Sequence, residues 1–176
     1  RLLKKYNLFL QKYFLFIKMV AKEEKYTFER GLHYAIRMCV VQERTRKEVR
    51  DKLSKMGCEP KDIEKIINQI TKEDYLSEQR YADLYVMSKI HQSRWGRIKI
   101  RNMLISKQVP VSCITKAFSL INEEEYREIL TALLEKKIKT IKTDDEYQRK
   151  YRLRYYLSSH GFENDLIEEA FREKNL

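Results

Sequence analysis

The stretch LSKMGCEPKDIEKII, residues 53–67, contains the end of one predicted helix, a tight turn and the start of the next helix. Gly57 stands where the first helix should end, because glycine takes the left-handed backbone conformation without a Cβ clash. Cys58 and Ile63 have the spacing of a hydrophobic staple, and Pro60 fits the first position of the following helix. The stretch therefore predicts a helix–turn–helix joint that is specified by side chains.

The same joint recurs twice further along the chain. LISKQ (104–108) follows LSKMG (53–57) by 51 residues, and LSSHG (157–161) follows LISKQ by a further 53 residues. Apolar residues stand at equivalent places around all three joints: Val49, Ile100 and Leu153 before the turn; Cys58, Val109 and Phe162 just after it; and Ile63, Ile114 and Ile167 five residues later. Gln108 replaces the glycine of the other two copies, so the middle turn should differ or carry strain.

Each copy of the joint is preceded by a further helical segment. The predicted helices are leading helices at 27–42, 78–92 and 123–141, middle helices at 46–56, 96–107 and 146–159, and trailing helices at 60–73, 111–120 and 164–174. Thr45 and Glu48 form a capping-box pattern, and Ser77 and Asn122 are the predicted N-caps of the second and third leading helices. The pattern predicts an all-α fold of three tandem three-helix repeats stacked into an elongated array.

The predicted domains are an N-terminal extension and three repeats, at 1–26, 27–76, 77–121 and 122–176. The extension is basic and apolar, but Gln11 and Lys12 interrupt an apolar run that is too short to span a bilayer. Two interpretations stay open. The segment is an amphipathic helix that lies on a membrane or a partner, or the natural chain starts at Met19 and residues 1–18 come from an over-long reading frame.

Composition narrows the fold and the class of partner. Hydrophobic residues make up 43% of the 176 residues, and only four glycines and two prolines occur, which favours a helical protein with short turns. Charged residues reach 36%, with a formal net charge of +11. A protein this basic commonly binds something acidic: nucleic acid, an anionic membrane face or an acidic protein surface.

No pattern of catalytic or metal-ligating residues rises above background. The three cysteines and three histidines are scattered without ligand spacing, so the cysteines are expected to be small core residues of a reducing compartment. There is no glycine-rich phosphate loop and no HExxH motif. Acidic clusters such as 123–125 and 144–146 fall at predicted helix N-termini, where the helix dipole stabilises carboxylates. We therefore expect a protein that is not an enzyme and has no cofactor and no metal.

The positive signal is the placement of basic residues. From Leu84 to Asn122 the chain contains no Asp or Glu. Arg97 and Arg101 are four residues apart, hence on one face of the middle helix, and basic residues stand at the equivalent positions of the other repeats. The predicted residues for binding phosphates or an acidic surface are Arg94, Arg97, Lys99, Arg101, Lys107, Arg46, Arg50, Lys150 and Arg154. Trp95, in the same stretch, either packs between repeats or offers a stacking face.

These segments resemble the RecX family, the bacterial regulators of the RecA recombinase. The resemblance is carried by RTRKEVRDKLSKMG (44–57), DYLSEQRYADLYV (74–86) and GRIKIRNMLISKQV (96–109), and it extends over residues 27–174. It implies a curved, cytoplasmic, three-unit helical protein that binds in the groove of the RecA–DNA filament. It also implies modulation, mainly inhibition, of RecA ATP hydrolysis, strand exchange and co-protease activity in DNA repair and the SOS response.

Three functional hypotheses remain distinct. A RecA regulator should be a monomer without integral membrane association, and it should bind single- and double-stranded DNA only weakly by itself. A free-standing DNA-binding protein, acting through the basic helical stripe, should bind DNA tightly with a steep salt dependence. A membrane-attached adaptor would depend on residues 1–18.

Overall fold

The structure, a computed structural model, describes residues 27–176. The two interpretations of residues 1–18 lie outside this range. Nine α-helices and no strands occur in the described residues. They are α1 (Phe28–Val41), α2 (Arg46–Lys55), α3 (Pro60–Lys72), α4 (Glu78–His91), α5 (Arg97–Ser106), α6 (Val111–Phe118), α7 (Glu123–Ile138), α8 (Glu146–His160) and α9 (Asn164–Glu173). The all-α fold with three helices per repeat is confirmed, and α7 ends three residues earlier than predicted.

The predicted helix caps form as expected. The Ser77 side chain accepts a hydrogen bond from the Arg80 amide at 3.3 Å, and the Asn122 side chain accepts from Glu124 and Glu125 at 3.0 and 3.2 Å. These bonds satisfy N–H groups that the first turn of a helix leaves without intrahelical partners. Each leading helix after the first therefore begins at a polar side chain without a preceding glycine or proline.

The capping box of α2 is also present. The Glu48 amide donates to the Thr45 hydroxyl at 3.1 Å, and the Thr45 amide donates back to the Glu48 carboxylate at 3.3 Å. Thr45 is fully buried, so its polar groups need these partners. The reciprocal pair fixes the start of α2.

The middle helices of the three repeats end in the same backbone conformation. Gly57 and Gly161 have φ values of 84° and 87°, and Gln108 has a φ of 61°. A residue with a Cβ is strained in this left-handed region by roughly 1–2 kcal/mol. The predicted strain in the middle turn is therefore located at the backbone of Gln108.

The described residues divide into two compact units. The first comprises residues 27–42 and 49–75, and the second comprises residues 43–48 and 76–176. In the first unit α1 packs against α3. A Cβ on Gly31 would lie 2.9 Å from Ile66 Cδ1 and 3.3 Å from the Cys58 sulfur, so the absence of a side chain allows this close packing. Cys39 and Cys58 are buried in this unit, as predicted for core cysteines.

The second unit contains the second and third repeats around one continuous hydrophobic core. The core extends from Tyr81 in α4 to Phe171 in α9, and α4 packs against both α6 and α7. The staple residues Val109, Ile114, Phe162 and Ile167 are all buried. Because α4 and α7 open consecutive repeats, the contact between them joins the two repeats directly.

A close backbone approach also joins these two repeats. The Gly96 amide donates to the carbonyl of His160 at 2.8 Å, and the Ile98 amide donates to the carbonyl of Gly161 at 3.0 Å. The last carbonyls of α8 thus satisfy the first amides of α5, and the two helix ends carry opposite partial charges. A Cβ on Gly96 would overlap the Gly161 carbonyl, and a Cβ on Gly161 would overlap Lys99. This α5–α8 junction therefore requires both glycines.

Candidate functional site

The nine predicted binding residues all lie on the middle helix of a repeat or directly beside it. Arg46 and Arg50 are on α2; Arg97, Lys99 and Arg101 are on α5, with Arg94 just before it and Lys107 at its C-cap; Lys150 and Arg154 are on α8. Each helix is anchored by two fully buried side chains: Val49 and Leu53, Ile100 and Leu104, and Leu153 and Leu157. The cationic side chains occupy the remaining faces of each helix.

An ion pair recurs between the middle and trailing helices of the first and third repeats. Arg50 Nε lies 2.8 Å from Glu64 Oε1, and Arg154 Nε lies 2.8 Å from Glu168 Oε1. The hydrogen bond to Glu64 raises the pKa of Arg50. All four side chains are about half exposed, so each pair contributes little to stability. The pairs do place a carboxylate against both guanidinium groups, which lowers their attraction for another anion.

The second repeat lacks this ion pair. Thr115 stands at the position equivalent to Glu64 and Glu168, fourteen residues after Arg101. Arg101 is exposed, its guanidinium carbon lies 5.0 Å from the Phe118 ring centroid, and no carboxylate pairs with it among residues 27–176. Arg101 therefore keeps an uncompensated charge at the surface. The repeat alignment could have revealed this difference, because Thr115 stands where the first and third repeats have a glutamate.

Arg97 is committed to contacts inside the second unit. Its guanidinium pairs with Glu123 and with Glu163, the latter at 3.4 Å, and lies 4.3 Å from the Tyr126 ring centroid. Only 20% of the side chain is exposed. Direct binding of a partner by Arg97 stays a prediction, and in the structure the residue joins α5 to α7 and α9.

Tyr126 lies at the centre of this polar contact between α5, α7 and α9. Its hydroxyl accepts from the Arg97 amide at 2.9 Å and donates to Glu163 Oε2 at 2.8 Å. Burial is the main reason that the pKa of Tyr126 is raised far above its ordinary value, and the Glu163 carboxylate raises it further. The phenol therefore stays protonated and keeps both hydrogen bonds.

Two lysines of the predicted set also have internal partners. Lys107 Nζ lies 2.6 Å from Glu48 Oε1, and this hydrogen bond raises the pKa of Lys107. Lys150 Nζ donates to the Leu176 carbonyl at 2.9 Å. In the same unit, the Arg46 amide donates to Glu78 Oε1 at 2.7 Å. These contacts fix loops and helix ends within the second unit.

Two lysines lie over the Trp95 ring, and a third cation, Arg94, directly precedes it in sequence. Lys89 Nζ and Lys99 Nζ lie 5.1 and 4.6 Å from the Trp95 ring centroid, and Lys99 Nζ also donates to the Ser159 carbonyl at 3.3 Å. Trp95 is half-buried and packs against the core, which agrees with the packing interpretation of this residue. Arg94 is exposed beside it with a φ of 52°. No carboxylate pairs with these three cations within the described part of the chain.

The nine predicted residues therefore differ in what they offer a partner. Arg94, Lys99 and Arg101, all in the second repeat, have no carboxylate partner in residues 27–176. Lys99 and Arg101 lie on opposite flanks of the buried edge of α5, because two residues correspond to about 200° around a helix. The structure thus presents cations on both sides of α5. Residue spacing alone does not show which of the nine predicted cations are already paired with a carboxylate.

The described residues contain neither a metal-ligating cluster nor a membrane-spanning helix. No group of three or more His, Cys, Asp or Glu side chains in 27–176 could hold a metal ion. None of the helices formed by these residues is long and apolar enough to cross a bilayer.

Family comparisons match all three repeats in order. Residues 32–69 match the family model for the first three-helix domain of RecX, residues 77–117 match the second, and residues 123–171 match the third. The crystal structure of RecX from Lactobacillus salivarius has a TM-score of 0.76 and 27% identity to this chain. That similarity covers 83% of this chain and 95% of that one.

Comparison with individual proteins also finds similarity to RecX. The regulatory protein RecX of Oceanobacillus iheyensis is 28% identical over 151 residues, which are 86% of this chain and 56% of the relative. The regulatory protein RecX of Clostridium perfringens is 29% identical over 158 residues, which are 89% of this chain and 73% of the relative. The chain thus spans little more than half of the first relative. Since the three domains match in sequence and in fold, the chain belongs to the RecX family of regulatory proteins.

Proposed function

We propose that this protein binds RecA–DNA filaments and modulates RecA, mainly by inhibiting ATP hydrolysis, strand exchange and co-protease activity. The observation that carries the proposal is the ordered match of all three RecX domains. The net charge of +11 supports it, because a filament built on DNA presents phosphates and attracts a basic protein. Such a partner implies action in the cytoplasm during DNA repair.

Among the nine predicted residues, we assign direct contacts to Arg94, Lys99 and Arg101. A cation that already bonds a carboxylate must break that bond before it binds phosphate, so these three offer more binding free energy than Arg50 or Arg154. Arginine suits the task because its planar fork can hold two oxygens of one phosphate or carboxylate. Arg97 acts in this proposal as a positioning residue for α5.

The test is the RecA ATPase stimulated by single-stranded DNA, measured with increasing amounts of this protein. The wild-type chain should inhibit, and the double variant Arg94→Glu/Arg101→Glu should need substantially more protein for the same effect. Lys61→Glu/Lys72→Glu is a matched control, because both lysines are exposed on α3 and the change in net charge is identical. Equal loss of inhibition in both variants would show that only net charge matters, and no inhibition by the wild type would refute the proposal.

The rival function is DNA binding without RecA, and the uncompensated cations of the second repeat are the observation that favours it. The rival predicts tight binding of the isolated protein to duplex DNA. It also predicts that the logarithm of the binding constant falls steeply with the logarithm of the salt concentration. The RecA-regulator proposal predicts weak binding alone and a strong effect once a filament exists. Titrating the same variants against labelled duplex without RecA separates the two.

A further inference from the structure

A row of exposed tyrosines on α8 takes no part in the proposed function. Tyr147, Tyr151 and Tyr155 are 82%, 61% and 69% exposed. They are four residues apart, so successive rings lie on one face at steps of about 6 Å along the helix. Leu153 and Leu157 bury the opposite side of α8. Aromatic residues at this spacing usually form a buried face, and their exposure here requires a different explanation.

The repeat fold does not require aromatic residues at these positions. Ile98 and Asn102 stand at the equivalents of Tyr151 and Tyr155 in the second repeat, and Lys47 and Asp51 stand there in the first. No hydrogen bond from either Tyr151 or Tyr155 hydroxyl to another described residue occurs. The tyrosines are therefore a property of the third repeat alone.

A cleft with a volume of about 420 Å³ lies beside this row, between α8 and the segment that follows α7. Its walls include Tyr151, Tyr155 and Tyr156 together with Lys137, Lys142 and Arg152. Among the residues that the structure describes, no Asp or Glu side chain lines it. Lys137 Nζ lies 4.9 Å from the Tyr156 ring centroid, at the inner wall of the cleft. The volume falls within the range of ligand-binding clefts, roughly 300–1,000 Å³.

We propose that this tyrosine cleft binds unpaired bases of single-stranded nucleic acid. The rings of Tyr151 and Tyr155 supply stacking faces, and Lys137, Lys142 and Arg152 contact the phosphates. Stacking on aromatic side chains combined with a basic groove is the usual way in which proteins hold single strands without reading their sequence. A duplex cannot use this site in the same way, because its base faces are already stacked on one another.

Charge and composition favour nucleic acid over a protein partner. Within residues 27–176, three cations and no carboxylate line the cleft, so its charge complements a phosphate backbone. Two of the three cations are lysines, which are depleted at the centres of protein–protein interfaces. The proposal goes beyond RecA binding, since it concerns a site on α8 that needs no filament.

The experiment compares two labelled single strands of equal length and charge by fluorescence anisotropy with the full chain and without RecA. One strand is an oligothymidylate, and the other carries abasic sites throughout. The wild type should bind the oligothymidylate more tightly. Tyr151→Ala/Tyr155→Ala should weaken that binding by roughly 5- to 150-fold for each base that loses its stacking ring, and should leave binding of the abasic strand nearly unchanged.

Two variants keep the test specific. Tyr151→Phe/Tyr155→Phe retains both rings and should bind like the wild type. Tyr75→Ala removes a partly exposed tyrosine of the first unit and should have no effect. Circular dichroism checks that each variant is folded. Equal affinity of the wild type for the two strands would overturn the proposal.

A competition with polyglutamate tests the protein alternative. If polyglutamate bound in a tyrosine-dependent manner and the oligothymidylate did not, the cleft would be a protein-binding site and the proposal would be wrong. Because RecA is absent throughout, failure here would leave the ATPase result unaffected.

Discussion

Replacing Gly96 by alanine should break the α5–α8 junction. Gly96 has a φ of −78°, a value that alanine adopts without strain, so the substitution tests close packing and not backbone conformation. The added methyl would overlap the Gly161 carbonyl and the Phe162 amide nitrogen, which are backbone atoms that cannot rotate away. The two chain segments must therefore separate.

The separation should cost about 3 kcal/mol of unfolding free energy. The backbone shifts that make room for an added methyl group at a packed site typically cost about 1–3 kcal/mol. Separation also lengthens the bonds from the Gly96 and Ile98 amides to the carbonyls at the end of α8, each with a net contribution of about 1 kcal/mol. The loss is a substantial fraction of the roughly 5–15 kcal/mol that stabilises a typical domain.

Urea denaturation followed by tryptophan fluorescence and circular dichroism measures this loss. Trp95 is the single tryptophan of the chain and is adjacent to the substituted residue, so its emission reports on the junction. Gly57→Ala is the opposite control: its Cβ would meet no atom of the described residues within 4 Å, so the expected cost of about 1–2 kcal/mol comes from its φ of 84°. A Gly96→Ala variant as stable as the wild type would refute the overlap argument.

Three further substitutions test other contacts of the second unit. Thr115→Glu should create beside Arg101 the ion pair of the other repeats, so that about fivefold more protein is needed to inhibit RecA. Gln108→Gly should raise the free energy of unfolding by about 1 kcal/mol, because relief of left-handed strain outweighs the added flexibility of the unfolded chain. Tyr126→Phe should lower it by about 2 kcal/mol, because a buried hydrogen-bond centre beside Glu163 is lost.

Each of these three predictions can be contradicted by a measurement. Thr115→Gln introduces a side chain with the shape of glutamate but without its charge. Equal RecA inhibition by the Glu and Gln variants would exclude a role for the new ion pair. For Gln108→Gly, a thermal midpoint that does not rise by about 2–4 °C would place the strain elsewhere. For Tyr126→Phe, unchanged stability in urea would mean that water replaces the phenol without cost.

Helix positions were predictable because they depend on local features of the chain. Staple and capping residues act on groups only a few residues away in the sequence. The capping hydrogen bonds form as predicted at Thr45, Ser77 and Asn122. Pairing of Arg50 with Glu64 joins two helices and depends on how they pack, so spacing along one helix could not reveal it.

The tyrosine row shows a second limit of prediction. Tyr147, Tyr151 and Tyr155 have the helical spacing that normally indicates a buried face, whereas the repeat alignment points to Leu153 and Leu157 as the core residues and the structure buries those two. Periodicity identifies a face of a helix without telling which of two apolar faces turns inward.

The α5–α8 junction has a consequence for the order in which the chain can fold during synthesis. The first amides of α5 bond to His160 and Gly161, which leave the ribosome more than sixty residues after Gly96. Until then the amides of Gly96 and Ile98 lack these carbonyl partners and can bond only to water. A nascent chain therefore cannot complete its second repeat before most of the third has been made, so the last two repeats should fold in a single late step.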